Sequence, residues 1–224
     1  MKRQILAGLA AFVMIGMIAC SKDDTAPPID KTNDGTFKVF TEGKVTTVQN
    51  LAGDTIIGIA GNGQPFGSGK YTLFSLVTRE IISNADSATN KWDIGFRGTT
   101  IIINGGTSGP GNGGAFVLTG TYDGLTSIPV DSVFNVDNVP NYAITTGSGR
   151  GWYNYNGATN LVNPIPGRVL VIRTADGKYA KMEILNYYKG GVTPDASASD
   201  DDKLHKQRYY NYRFQYQPDG SKNF

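Results

Sequence analysis

The stretch YYNYRFQYQPDGS, residues 209–221, decides the fold. Tyr210, Tyr212, Phe214 and Tyr216 fall on one face of an extended chain, and Asn211, Arg213, Gln215 and Gln217 on the other. A period of two is the signature of a strand with one face inside and one outside. KYAKMEILNYY, residues 178–188, repeats the pattern, with Ala180, Met182 and Ile184 opposed to Lys181 and Glu183. Runs at 71–77, 92–96, 99–103, 115–119 and 168–173 are short, rich in β-branched and aromatic residues, and bounded by Gly, Asn, Asp or Pro. Between two of these patterns, Asp176-Gly177 is a hairpin-turn signal, because such turns need positive φ angles. No amphipathic helix and no repeat of fixed period stands out. The fold class expected is all-β: a single antiparallel, mostly-β domain.

Upstream of this domain the chain carries an address. Lys2 and Arg3 precede a mainly apolar run that ends at Ala19-Cys20. The run is too short to span a bilayer, which takes about 20 residues, but it suits the core of a signal peptide. Ala19 before the only cysteine makes a lipobox-like cleavage site, so residues 1–19 read as a lipoprotein signal peptide and Cys20 as the site of lipid attachment. Ser21-Lys22-Asp23-Asp24 is similar to the acidic export tag, Lys22, Asp23 and Asp24, that sends lipoproteins to the outer face of an outer membrane. Residues 20–35 hold Pro27-Pro28 and little to bury, which reads as a lipidated flexible tether. The globular domain is expected over 36–224. Localisation is therefore expected to be outer membrane, lipid-anchored and cell-surface exposed.

Loss of the signal removes Lys2 and Arg3 and no acid, so 21 basic residues become 19 against 19 acidic ones. A near-neutral chain lacks the basic surface that a nucleic-acid partner requires. With Cys20 acylated, no thiol remains for a disulfide or a cysteine nucleophile. Enzyme motifs nearly occur and fail on context. Residues 109–114, GPGNGG, match the spacing of a dinucleotide fingerprint, but proline interrupts it and a strand pattern follows where a helix is needed. Residues 63–70 miss the phosphate-loop spacing by one. A Ser-His-Asp triad would have to use His205, the only histidine, and no nucleophile elbow accompanies it. A binding protein is expected, not an enzyme.

Three strings in this order, KWDIGFRGTTIIINGGTSG (91–109), GRVLVIRTADGKYAKMEILNYYKGG (167–191) and YYNYRFQYQPDGS (209–221), resemble the HmuY family of haem-binding lipoproteins. The resemblance covers roughly 36–224. It implies the family's all-β fold, haem as ligand, and delivery of haem to an outer-membrane TonB-dependent receptor. The chain departs from the family where the ligand is held. The best-known member grips haem iron between two histidines, and a single copy of this chain offers only His205. Methionine serves in some relatives, and Met182 alone survives signal removal, in strand phase with Ala180 and Ile184 and so equally readable as core.

The remaining candidates for a ring-shaped apolar ligand are the mid-chain aromatics Tyr142, Trp152, Tyr153 and Tyr155, interspersed with glycines. Tyrosine can ligate haem iron and rings can stack on a porphyrin, but the same side chains could close one end of the β core. Arg150 or Arg168 could pair with a propionate. The alternative function is a surface module that has lost haem and binds another small molecule or docks with a membrane transporter. A deep apolar cleft beside Tyr142 and residues 152–155 would favour haem.

Overall fold

The structure is a computed structural model and describes residues 35–224. The signal peptide, Cys20, the tag residues Lys22, Asp23 and Asp24, and all of the tether except Gly35 lie outside the described residues. The described chain forms fourteen strands: β1 Lys38–Glu42, β2 Val45–Ala52, β3 Gly58–Ile59, β4 Pro65–Phe66, β5 Thr72–Ser75, β6 Glu80–Ile82 and β7 Ile94–Arg97 come first. They are followed by β8 Thr100–Ile103, β9 Gly114–Thr119, β10 Tyr153–Asn156, β11 Leu161–Pro164, β12 Arg168–Arg173, β13 Tyr179–Tyr188 and β14 Gln207–Gln217. All ladders are antiparallel. Six strands make one sheet in the order β1-β2-β14-β13-β12-β9, four make a second in the order β6-β5-β7-β8, and β3-β4 and β10-β11 are separate hairpins. The expected all-β architecture is the observed one.

The two larger sheets enclose the principal core. β14 presents Tyr210, Tyr212 and Phe214 and β13 presents Ala180, Met182 and Ile184, all inside with Leu170 and Ile172 of β12. The four-stranded sheet answers with Phe74, Ile94, Phe96, Ile101 and Ile103. Aromatic rings join the layers: Phe96 lies 4.6 Å from Tyr210 and 5.4 Å from Tyr212, and Phe74 meets Tyr212 edge-on at 5.9 Å. Such pairs add to the area they bury.

Three local expectations need correction. The polar face of β14 is not in solvent: Asn211, Arg213, Gln215 and Gln217 are all buried. A second core, built from Tyr122, Leu125 and Ile128 with Val169 and Val171 and joined by Phe224, lies on this side of the sheet, while Asn211 is held by the Tyr188 carbonyl and the Asn50 amide. Arg213 fits there because its guanidinium lies 4.1 Å over the Tyr122 ring and its Nε donates to Glu183 at 2.8 Å. The alternation of residues 92–96 would put Trp92, Ile94 and Phe96 together on one inward face, but Trp92 does not share it. The chain turns at buried Asp93, whose carboxylate accepts from the Leu76 amide at 2.8 Å and the Ala175 amide at 3.0 Å, and Trp92 packs on the opposite face with Leu73 and Ile102. Third, one short α-helix exists, α1, Asp200–Lys206. Ser199 caps it by accepting from the Asp202 amide, with acids in the first turn and Lys206 in the last, as the helix dipole favours.

The glycine-rich 109–114 segment is a loop between strands, as its context required. The Asn104 side chain accepts from the Gly111 amide at 2.9 Å, the Asn104 carbonyl accepts from Gly113 at 2.8 Å, and β9 follows directly.

Candidate functional site

The outer face of the four-stranded sheet carries the site. In β5, Leu73 points away from the principal core, and in β8 Ile102 does the same. Gly95 of β7 sits opposite Leu73 on one side and Ile102 on the other. A Cβ there would come within 2.8 Å of Ile102 and 3.0 Å of Leu73, so glycine lets those two side chains close over the strand as a floor. Trp92 lies against this floor, its Nε1 donating to the Ser87 carbonyl at 2.9 Å. Tyr71 and Tyr142 pack at its margin.

Tyr142 is put there by a buried carboxylate. Asp137 accepts from the Ile103 amide at 2.9 Å and from the Ala143 amide at 2.8 Å, so the loop bearing Tyr142 is tied to β8 on one side and to its own return on the other. Burial raises the Asp137 carboxyl above its ordinary value, against the pull of these amides.

Between floor and loop lies a cavity of about 300 Å³, lined by Tyr71, Leu73, Trp92, Arg97, Ile102 and Tyr142 among others, with Asn84, Ser87, Thr107 and Ser108 as polar wall. Its volume stands at the small end of ligand-binding cavities. Arg97 is its cation. The guanidinium lies 4.4 Å from the Tyr71 ring centroid and donates to the Gly69 carbonyl at 3.3 Å. No carboxylate pairs with it among the described residues. The Tyr71 hydroxyl is buried without a hydrogen-bond partner. Burial pushes that phenol up to about 12, the neighbouring Tyr142 adds to the rise, and Arg97 pulls it down. The arrangement offers a flat ligand aromatic walls, an arginine for an acidic group, and the phenol oxygen of Tyr142 for a donor or a metal-bearing ring.

Of the sequence candidates, only Tyr142 reaches this cavity. Trp152 and Tyr153 belong to the principal core, where Trp152 lies 5.4 Å from Tyr210 and donates from Nε1 to the Thr99 carbonyl at 3.0 Å. Tyr155 is exposed two residues along β10 and donates its hydroxyl to Asn160 at 2.6 Å. The mid-chain aromatics are thus split by the β10-β11 hairpin, and the cleft sought beside all four of them is instead a cavity beside Tyr142 alone. Met182 is fully buried among core side chains. His205 is exposed on α1, its Nδ1 2.8 Å from the Asp201 carbonyl oxygen. Arg168 hydrogen-bonds Thr119 on the far sheet, and neither it nor Arg150 lines the cavity. No group of three or more His, Cys, Asp or Glu side chains suited to a metal ion occurs among the described residues.

Sequence reasoning missed Tyr71, Trp92 and Arg97 as site residues. Trp92 and Arg97 stand in the KWDIGFRG string, but their convergence depends on the pairing of Thr72 with Phe96 and Ile94 with Ile103, which no local pattern specifies.

Comparison with known proteins places the chain. No curated protein matches it. Among solved structures, it is similar to a provisionally named lipoprotein of Bacteroides fragilis NCTC 9343, with 15% identity, a TM-score of 0.47, and coverage of 84% of this chain and 98% of that one. A provisionally named HmuY-like haem-binding protein of Bacteroides vulgatus ATCC 8482 shows 14% identity, a TM-score of 0.41, and 65% and 84% coverage. The apo HmuY analog of Tannerella forsythia shows 14% identity, a TM-score of 0.41, and 79% and 98% coverage. A sequence profile described as HmuY protein matches residues 68–197, more than half of the chain and all the strands from β5 to β13. The protein belongs to the HmuY family.

Proposed function

We propose that this protein is a lipid-anchored surface lipoprotein that captures haem as cargo and passes it to an outer-membrane TonB-dependent receptor. The reading rests on family membership together with one observation: the cavity that joins aromatic walls, an arginine without a carboxylate partner and the phenol of Tyr142. Arg97 would pair with a propionate and Tyr142, beside Tyr71, would supply the oxygen to iron. The bis-histidine route is closed to one copy of the chain, because His205 is alone and exposed. A tyrosinate favours ferric over ferrous iron, since its negative charge offsets the metal's. In a cavity of about 300 Å³ a porphyrin would have to enter by one edge. That same volume favours a second reading, in which the site takes a smaller ring-shaped carboxylate and no haem.

A haemin titration of variants tests the assignment. Tyr142→Phe is expected to remove the ferric phenolate bands, and Arg97→Gln to weaken binding about tenfold through loss of a charged pair. His205→Ala and Tyr155→Phe should bind like wild type. Loss of the spectrum in His205→Ala alone would overturn the tyrosine assignment.

A further inference from the structure

The end of the sandwich where the chain enters also carries a cluster of exposed apolar side chains. Asn50, near the end of β2, donates from Nδ2 to the Thr36 carbonyl at 2.8 Å and accepts from the Gly190 amide at 2.7 Å. Chain entry and the turn at Lys189–Gly191 are therefore held together at one end of the six-stranded sheet. Three residues on, Gly53 leaves that end into the β3-β4 hairpin, which pairs with no other strand. The hairpin is fixed only at its base, where Asp54 accepts from Ser68 Oγ at 2.8 Å and from the Gly69 amide at 3.1 Å.

Beyond that base the flanks of the hairpin carry uncovered apolar side chains on either side of a polar turn, residues 60–64. Ile57 is 68% exposed, Ile59 54% and Phe66 47%. Ile57 and Ile59 share one face by strand alternation, while Phe66 lies opposite Gly58 on the other, its ring over the glycine. Both faces are thus open, so a single flat protein surface could cover only one of them; a lipid headgroup layer surrounds an inserted tip on both sides. No acid occurs between Asp54 and Glu80, so no carboxylate has to be desolvated; Asn62 and Gln64 in the turn are polar and confine the insertion to the headgroup layer. Val192, exposed beside Lys189, adds an apolar contact at the same end; Lys70 and Lys189 there are balanced by Asp200, Asp201 and Asp202 of α1, which leads into β14 beside Tyr188, so the contact with lipid is apolar and not electrostatic.

We infer that the β3-β4 hairpin is a wedge that inserts Ile57, Ile59 and Phe66 into the lipid surface and fixes the orientation of the domain on the membrane. The inference takes the lipidated Cys20 of the proposed function as the anchor. Residues 20–34 would span at most about 50 Å, and they join the domain at Gly35, on the wedge's own end. The anchor brings that end to the bilayer; the wedge, which binds lipid weakly but measurably by itself, then acts as a second membrane signal.

The test uses the full mature chain in two forms. In the unlipidated form, with Cys20→Ser, binding to mixed phosphatidylethanolamine–phosphatidylglycerol vesicles should fall about tenfold in the Ile57→Asp, Ile59→Asp, Phe66→Asp variant. Unchanged thermal unfolding of that variant would verify that its fold is kept. In the lipidated form, Ile59→Cys offers the one free thiol for an environment-sensitive dye. Spin-labelled lipid should quench that dye, and aqueous iodide should not. Equal vesicle binding of the two unlipidated proteins with a water-exposed dye overturns the wedge, as does a dye shielded on whole cells but exposed on vesicles, which would mark a protein partner. Incorporation of labelled fatty acid at Cys20 reports the anchor separately, so its failure is distinguishable from failure of the wedge.

Discussion

Tyr212→Ala is expected to lower stability by about 3–5 kcal/mol, the range for removing a large ring from a closed core. Tyr212 is fully buried at the meeting of both sheets, stacked on Phe96 at 5.4 Å and edge-on to Phe74 at 5.9 Å. Its loss would leave these rings facing a void that the paired strands on either side cannot close, and a domain has only about 5–15 kcal/mol in all. The hydroxyl, by contrast, is buried with no hydrogen-bond partner. Tyr212→Phe removes that unpaired group and is expected to leave stability unchanged or raise it by about 1 kcal/mol. Urea unfolding of the two variants measures both effects. Equal losses for alanine and phenylalanine would mean that the hydroxyl has a partner and the packing account is incomplete.

The second large effect is expected at Asp137. Asp137→Ala leaves the buried amides of Ile103 and Ala143 without their acceptors, at about 1–3 kcal/mol each. It also frees the loop that carries Tyr142, so ligand binding should fall further than stability alone accounts for. Asp137→Asn keeps one acceptor oxygen and should lie between the two. Thermal unfolding and ligand titration on the same three proteins separate these contributions. An alanine variant that is destabilised yet binds normally would show that Tyr142 is not held by this carboxylate or is not in the site.

How much of this was legible depended on the range of the contacts involved. β13 and β14 could be read residue by residue, because alternation is a property of the strand itself and the inner faces match it. The burial of Arg213 and Gln217 could not, because their cover comes from Tyr122 and Phe224, brought over the sheet by distant segments. α1 is not legible because DDDKLHK has no apolar stripe; its only local signal is the cap at Ser199. For the site, Tyr142 was legible as an aromatic near turn residues. Arg97 and Tyr71 were not, since only the register of β5 against β7 brings the guanidinium over the ring. Trp152 and Tyr153 look the same as Tyr142 in sequence, and they differ only because β10 turns them into the core.

In the proposed reading, the cavity beside Tyr142 receives haem through a phenol oxygen and not through histidine. Titration of the wild-type mature protein with haemin, followed by its absorption spectrum before and after dithionite, tests it most directly. The account predicts a saturable ferric spectrum with phenolate-to-iron bands and weaker binding after reduction. A six-coordinate low-spin ferrous spectrum, or no saturable change at all, would contradict it.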